Sequence, residues 1–438
     1  MVDTSFPDQR RSDCESRWRV VLSILLFCVF TDLLDRFRWV ECQFRSLKSC
    51  PRSEDHLEKL LKSLPQSLDE TYERMLLNID AASIDYARRI LMWLCFSKRP
   101  LTVPELIDGI AVELGDHSRL NKKRRLYDRY DLLQICPGFI SIALDSKNRS
   151  KVEDDRSSYI VSIAHYSVQE YLESDRTWKQ EAAFFSMRGT TSNVEIAQTC
   201  LVYLLDPTLS NAEVTYDTLN ELPLLRYAAE YWYQHVKEDE PYFSQIRSFM
   251  LQLFDNRDYT FRNCMTIYDP DRPWYYPFQQ EMDKVATPIY YSSLLGLHSV
   301  LCALLKIANE NAQTAGYGIT ILDKHADVNA HDGYYGNALQ AASFKGHEKV
   351  VQLLLDKNAD VNAQDGKYGN ALQTALSKDH EKMVQLLLDK NTNVNAHDRY
   401  YNTALQTTSS EDYKKMIQLL LNKNADLNAH DKLFSNAL

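Results

Sequence analysis

The sequence predicts a mainly α fold, in which a helical module precedes a solenoid of short stacked helix pairs. Two observations carry this prediction. A phrase written VVQLLLDKNADVNAQDG in one copy recurs at a fixed period of 33 residues. Apolar residues at helical spacing fill most of the chain before it. The length of 438 residues suits about two to four domains.

The repeat is marked at several positions in every unit. Val-Asn-Ala or its equivalent begins at Val328, Val361, Val394 and Leu427, and Ala-Leu begins at Ala338, Ala371, Ala404 and Ala437. The residue before each Ala-Leu is a good N-cap for a first helix, namely Asn337, Asn370, Thr403 and Asn436. A second helix follows, with Gln352 facing outward and a core face made by Val350, Val351, Leu353, Leu354 and Leu355.

Each second helix is expected to end in a left-handed residue. Asn358, Asn391 and Asn424 occupy this position. Glycine fills such a position at no steric cost, and asparagine is the next best choice. His325 stands at the equivalent place in the preceding unit and fits the geometry less well.

These residues resemble the ankyrin repeat, whose usual length is 33 residues. Thr287-Pro288-Ile289-Tyr290 is similar to the family's Thr-Pro-Leu-His opening and starts a first unit. The resemblance implies ankyrin repeats over residues 287–438. We expect an interruption at about 307–320 and a truncated C-terminus, because the chain stops at Leu438, just inside a further unit.

The middle of the chain changes from helices to strands. Helical segments that include a helix with Thr102 as its N-cap and Pro104 in its first turn lead to two strand patterns, GFISIAL and SYIVSIAH. A polar loop joins the two strand patterns. This order is that of a winged helix, predicted over residues 81–175, and a helical linker domain is predicted over residues 176–286.

Four phrases carry a second resemblance, which covers residues 37–438. They are FRWVECQFRSLKSC, LPQSLDETYERML, HYSVQEYL and YAAEYWYQH. Together they resemble the region behind the NTPase core in fungal NACHT–ankyrin proteins of the NOD-like-receptor type. In that family a winged helix similar to the one named after GPI inositol-deacylase precedes the repeats. The resemblance implies a helical NACHT-like tail at 37–80 and leaves residues 1–36 unassigned, as an atypical N-terminal segment.

The nucleotide-binding loop of that family has no counterpart here. None of the twelve glycines fits GxxxxGKS/T, the loop whose amides cradle phosphates. We therefore expect no nucleotide and no cofactor. If the resemblance holds, the chain is the sensor half of such a protein.

Composition bears on the partner and the compartment. A net charge of −10 argues against a nucleic-acid partner. One basic cluster, Lys122, Lys123, Arg124 and Arg125, is interpreted as a solvated helix start. Nine singly scattered cysteines without zinc spacing indicate a reducing, cytoplasmic location.

The apolar run Val20–Phe30 is too short to cross a bilayer. We interpret it as a buried helix, a signal peptide remains open, and no membrane partner is expected.

Two groups of residues could suggest chemistry. His165, Ser167 and Glu170 could be taken for a triad, but Ser167 and Glu170 fit a capping box and His165 would close a strand. His347 with His380, and His331 with His397, recur because the repeat recurs, so we interpret them as structural residues rather than metal ligands. No catalytic and no metal-binding residue is predicted.

The predicted binding residues lie at the hairpin tips and on the first helices. Exposed aromatic rings in a row suit a protein-binding surface, although each ring could instead brace its neighbour's loop. The first helices add Gln340, Gln373 and Gln406 on the face that is concave in ankyrin stacks. The residues assigned to protein binding are Tyr334, Tyr335, Phe344, His347, Lys367, Tyr368, His380, Tyr400, Tyr401 and Tyr413.

The function predicted from these features is non-catalytic protein–protein recognition through ankyrin repeats, in the sensor or scaffold half of a NACHT–ankyrin protein. The partner's identity does not follow from the sequence. Two alternatives stay open. The chain could be a DNA-binding regulator that uses its winged helix, or a truncated gene product without independent function.

Overall fold

The computed structural model describes residues 39, 41–42, 65, 67–145, 159–238, 243–255, 259–314, 327–364, 366, 368–397, 403–407 and 414–426. They fall into two compact units, residues 1–110 with 124–192 and residues 111–123 with 193–438. The described part is mostly helical, as the sequence predicts. The apolar run Val20–Phe30 and the residue His325 lie outside the described residues.

The helices and strands follow one another in this order. Up to the middle of the chain they are α1 Leu68–Leu77, α2 Ile84–Phe96, β1 Leu101–Thr102, α3 Val103–Ala111, β2 Val112–Glu113, β3 Arg119–Leu120, α4 Arg129–Ile135, β4 Ile140–Leu144, β5 Tyr159–Ile163, α5 Tyr166–Glu173 and α6 Asp175–Trp178. The helical region that follows contains α7 Gly189–Leu204, α8 Pro207–Asn211, α9 Tyr216–Glu221, α10 Leu225–Tyr231, α11 Ser244–Leu253 and α12 Thr260–Ile267. The repeats contain α13 Pro288–Leu294, α14 His298–Thr314, α15 Ala338–Lys345, α16 Glu348–Asp356, α17 Ala371–Leu376, α18 Glu381–Leu388, α19 Ala404–Thr407 and α20 Lys414–Asn422.

The first unit combines helices with a three-stranded antiparallel sheet in the order β1-β5-β4. The two predicted strands pair with each other, with Ser141 opposite Ser162. Strand β1 was not predicted, because its two residues are too few to show an alternating pattern. Thr102 caps α3 as predicted, and the carboxylate of Glu105 accepts from the Thr102 amide at 2.8 Å to complete a capping box. Trp93 is fully buried in the core of this unit.

In the second unit, helices α7 to α12 precede the repeats. The side chain of Asn263 is fully buried and joins two of them. Its amide nitrogen donates to the carbonyl oxygens of Leu209 and Ala212, at 2.7 and 2.8 Å, and its oxygen accepts from the amide of Val214. A buried amide satisfied in this way fixes the turn after α8, because no water competes for its bonds.

Within the described residues, the repeats form four helix pairs, α13 with α14 through α19 with α20. The predicted N-caps Asn337 and Asn370 are confirmed, since each side chain accepts from the amide three residues on. The predicted left-handed asparagines are also confirmed, with φ of 64°, 61° and 63° at Asn358, Asn391 and Asn424. Helix α14 runs to Thr314, so the first part of the predicted interruption at 307–320 is helical.

The Asn of each Val-Asn-Ala marker links successive repeats. The side-chain oxygen of Asn329 accepts from the amide of Asp360 at 2.7 Å, and that of Asn362 accepts from the amide of Asn393 at 2.7 Å. Asn395 accepts from Asp426 in the same way at 2.8 Å. The period of 33 therefore repeats a hydrogen bond between units as well as an apolar face.

Leucines and valines of the second helices make one continuous core with the alanines and leucines of the first helices. Val350, Val351 and Leu354 are buried, whereas Leu353 and Leu355 are partly buried against the same core. Because each unit buries its apolar face only against the next, the stack is stable as an array and not as single units. No helix in the described part of the chain is long and apolar enough to cross a membrane.

Candidate protein-interaction surface

Three aromatic rings stack across two repeats. The ring of Tyr335, in the first hairpin, lies 4.0 Å from that of Phe344 on α15, measured between centroids. The ring of Tyr368, one repeat later, lies 5.6 Å from Phe344 and 6.2 Å from Tyr335. The interplanar angles are 15° to 27°, so the rings are nearly parallel. Of the two alternatives left open for the hairpin-tip rings, Tyr335 follows the second and braces the stack, since only 6% of it is accessible.

Two lysines stand over the middle ring of this stack. The Nζ of Lys378 lies 4.6 Å from the centroid of Phe344, and that of Lys345 lies 5.7 Å from it. Cations placed over an aromatic face are held by the ring's quadrupole. Burial, with a smaller contribution from the positive charge of Lys378, lowers the pKa of Lys345 from its ordinary value. We call Tyr335, Phe344, Lys345, Tyr368 and Lys378 the Lys–aromatic strip.

A loop before the repeats extends this surface. The rings of Trp274 and Tyr334 meet edge to face, with centroids 5.6 Å apart, and Trp274 remains 58% exposed. The guanidinium of Arg272 lies 5.7 Å from the Tyr334 centroid and 5.5 Å from that of Tyr275. This loop shows no periodic pattern in the sequence, so its residues were not among the predicted ones. The run of aromatic residues after α12 is the sequence feature from which this loop could have been predicted.

Two buried carboxylates anchor that loop to the repeats. Asp271 accepts hydrogen bonds from the hydroxyl of Tyr290, at 2.7 Å, and from the backbone amide of Tyr334. Asp269 accepts from the hydroxyl of Tyr291 at 3.1 Å. Burial raises the pKa of Asp269 above its ordinary value and raises that of Asp271 to about 6.

Histidines of the second and third helix pairs hold neighbouring repeats together. The Nε2–H of His347 donates to the carbonyl of Leu294, and that of His380 donates to the carbonyl of Phe344, both at 3.1 Å. Burial lowers the pKa of His347, so its imidazole is neutral near pH 7. Both side chains are partly buried, and this geometry fits the structural role that the repeat period favours.

Gln340 and Gln373 do not contribute to an exposed concave face, and that expectation is wrong. Each is 1% exposed and completes a capping box with the asparagine three residues before it. The amide group of Gln340 also donates to Ala363 at 3.1 Å and to Gly369, both in the next hairpin. Their polar atoms are therefore used within the stack. Lys367, Tyr400, Tyr401 and Tyr413 lie outside the described residues, as does the side chain of Gln406.

Residues 339–431 match the family described as ankyrin repeats in three copies. This chain carries an ankyrin-repeat domain. Residues 72–187 match the winged helix domain of GPI inositol-deacylase, a range that includes the predicted winged helix at 81–175. The division into a tail at 37–80, a linker at 176–286 and repeats at 287–438 stays a prediction.

The chain is also similar to a protein named "Azaphilone pigments biosynthesis cluster protein L" from Monascus ruber. The two are 43% identical over 308 residues, which is 69% of this chain and 62% of the relative. The chain thus spans less than two thirds of the relative's length.

Outside the ankyrin domain, the predicted capping box at Ser167 and Glu170 is wrong. Helix α5 begins at Tyr166, earlier than expected, and its N-cap is His165, whose ring accepts from the Ser167 amide. The hydroxyl of Ser167 lies 2.6 Å from His165 Nδ1 and 2.9 Å from the hydroxyl of Tyr72. Ser167 is buried and Glu170 is exposed, so the three residues form a helix start and a core contact.

Half of the basic cluster also differs from its prediction. Arg124 forms an ion pair with Asp85 at 2.5 Å and lies over the ring of Tyr86. Arg125 forms an ion pair with Asp108, whose side chain is 3% exposed. These two guanidinium groups are bound within the first unit and are not a solvated helix start.

The described cysteines and acidic residues offer no metal site. No group of three or more His, Cys, Asp or Glu side chains within the described ranges could hold a metal ion. Cys95, Cys136, Cys200, Cys264 and Cys302 are free thiols. Burial raises the pKa of Cys95 and Cys264 to about 12, which keeps both as thiols at neutral pH.

Proposed function

We propose that this protein is a non-catalytic recognition protein of the cytoplasm, which binds a protein partner through its ankyrin stack. The proposal depends on the Lys–aromatic strip and on the loop that contains Arg272, Trp274 and Tyr275, which we call the aromatic loop. Polar atoms inside the stack are used between repeats, whereas Lys345 and Lys378 lie at the surface. Aromatic rings beside cations are the residue types that dominate protein–protein hot spots.

The wider role we propose is that of a sensor or scaffold part of a NACHT–ankyrin type of protein, without the nucleotide-binding core. The absence of GxxxxGKS/T from the sequence supports this, because a phosphate-binding loop needs that spacing. The name of the Monascus ruber relative assigns that protein to a pigment biosynthesis cluster. We propose that this chain likewise acts by binding, for example by holding other proteins of a cluster of this kind. We propose no catalytic step for it.

Site-specific photocrosslinking in the producing cell tests the proposal. A benzophenone amino acid replaces Tyr368 in one variant and Gln385 in a second, and the adducts are identified by mass spectrometry. Gln385 is the control because it lies on a second helix, where its amide bonds only to Asp389 of its own helix. We expect a discrete protein adduct from position 368 that position 385 does not give.

Two outcomes would contradict the proposal. Equal adducts from both positions would mean that the strip does not select a partner. Nucleotide hydrolysis by the purified full chain would contradict a non-catalytic role. The DNA-binding alternative predicts salt-dependent duplex binding that is lost when Lys122 and Lys123 are neutralised, and the same protein preparation can be tested for it.

A further inference from the structure

We propose that the Lys–aromatic strip binds an acidic, extended segment of the partner protein. This inference rests on the proposed recognition function and names the chemistry of the partner. It follows from an arrangement of charge and rings that spans two consecutive repeats.

Both lysines of the strip lack a carboxylate partner within ion-pair distance among the described residues. Other lysines of the repeats do find one, as Lys390 does with Asp356 and Lys423 does with Asp389. Asp271 acts on Lys345 only from a distance, and its oxygens are already bound to Tyr290 and Tyr334. The chain carries a net charge of −10, so two unmatched lysines over one ring are a local exception.

The two ammonium groups repel each other, because both lie close to one aromatic ring. They stand 4.6 and 5.7 Å from the same ring centroid, and repulsion from the charge of Lys378 contributes to the lowered pKa of Lys345. A carboxylate placed beside them would relieve that repulsion and would gain from the partial burial of the site, where charges are screened less. The strip therefore favours an anion more strongly than two separate surface lysines would.

The shape of the strip favours an extended peptide over other anions. The partly buried rings of Phe344 and Tyr368 lie nearly parallel along the stack, with the buried ring of Tyr335 packed against them and the ammonium groups beside Phe344. In an extended chain, side chains at positions i and i+2 point the same way and lie roughly 7 Å apart. Alternating acidic residues can thus reach both lysines while the intervening residues contact the neighbouring loop. Nucleic acid is less favoured, because it needs a longer basic track than these two lysines supply.

A displayed library of random twelve-residue peptides, selected against the full-length protein, tests this inference. The selected sequences are compared with those selected by a K345M/K378M variant, since methionine keeps the apolar stem over the ring and removes the charge. K382M is the matched control, because Lys382 is exposed on α18, away from the rings. Thermal melting checks that both variants are folded as wild type is.

We expect wild type and K382M to enrich peptides rich in Asp and Glu, and K345M/K378M to lose that enrichment. A synthetic copy of the best peptide should bind the double variant roughly tenfold more weakly by fluorescence anisotropy. Three results would overturn the inference: no enrichment, enrichment without acidic residues, or equal enrichment by the folded double variant. Tighter, strip-dependent binding of a labelled twenty-nucleotide single strand would overturn it in favour of nucleic acid. A discrete adduct in the crosslinking experiment would still support protein recognition in each of the first three cases.

Discussion

Single residues with left-handed backbone end the second helices of the repeats. At Asn358, Asn391 and Asn424 the side chain tolerates φ near 60°, where other residues with a Cβ are strained. Gly346 and Asp379 adopt the same conformation before the second helices begin. At Gly346 a second reason applies, since an added Cβ would lie 2.8 Å from the ring of His380 in the next repeat.

Replacing Asn358 tests whether the left-handed conformation explains the asparagine. We expect Asn358→Gly to leave the free energy of unfolding almost unchanged and Asn358→Ala to lower it by about 1 kcal/mol, because alanine resists positive φ. Urea denaturation measures both. Lys357→Ala is the control, because Lys357, the residue before Asn358, has an ordinary φ of −102° and is exposed. Equal stability of the alanine and glycine variants at 358 would refute the conformational explanation.

At the scale of elements, the first helix of each repeat is fastened to the next hairpin by a glutamine. Gln340 accepts from the amide of Asn337 at 2.8 Å and donates to two carbonyl oxygens in the hairpin that follows. Gln373 does the same with Asn370 and with Ala396. These bonds are buried, so losing the side chain leaves several polar groups without partners.

Truncating Gln340 should therefore cost far more than truncating a surface glutamine of the same repeat. We expect Gln340→Ala to lower the free energy of unfolding by roughly 2 to 3 kcal/mol. Gln352→Ala removes only an exposed bond to Asp356 and should cost less than about 0.5 kcal/mol. Both variants are compared by urea denaturation. Similar losses in the two would show that the buried bonds between repeats do not hold the stack.

The sequence predicts what repeats and what has a local cause. The period, the N-caps at Asn337 and Asn370 and the left-handed asparagines all depend on neighbouring residues. Gln340 recurs equally clearly, but a recurring letter does not say whether its side chain faces solvent or the next unit. The start of α5 was misplaced because His165 and Ser167 can both cap a helix. The stacking of Tyr335 on Phe344 depends on residues in different elements.

Within the second unit, the segment that precedes the repeats is joined to them by buried carboxylates. Asp271 connects the loop after α12 with Tyr290 on the first repeat helix and with the amide of Tyr334 in the next hairpin. Asp269 adds a bond to Tyr291. Because Arg272 also packs on Tyr334, the orientation of the aromatic loop depends on this cluster.

The buried cluster makes the stability of the whole protein depend on pH. Burial raises the pKa of Asp271 to about 6 in the folded protein, whereas the ordinary value is 3.8. Between those two values the folded form binds more protons than the unfolded form, so this carboxyl makes stability fall as pH rises from about 4 to 6. Asp271→Asn places a neutral group of the same shape there. We expect the free energy of unfolding of wild type, relative to this variant, to fall by about 2 kcal/mol from pH 4 to pH 7.

Taking the difference in free energy of unfolding between wild type and Asp271→Asn at each pH removes the contributions of other titrating groups near the cluster. His347 titrates in the opposite sense, because burial lowers its pKa, and it is present in both proteins. Asp269, Arg272 and Lys345 are likewise common to both. Asp217→Asn is the control, since Asp217 is exposed on α9 and its loss should leave the pH profile of wild type unchanged. The measurement is urea denaturation at half-unit steps of pH. Parallel profiles for wild type and Asp271→Asn would mean that this carboxyl ionises as it does in water, and that the aromatic loop is not held to the repeats by a buried charge.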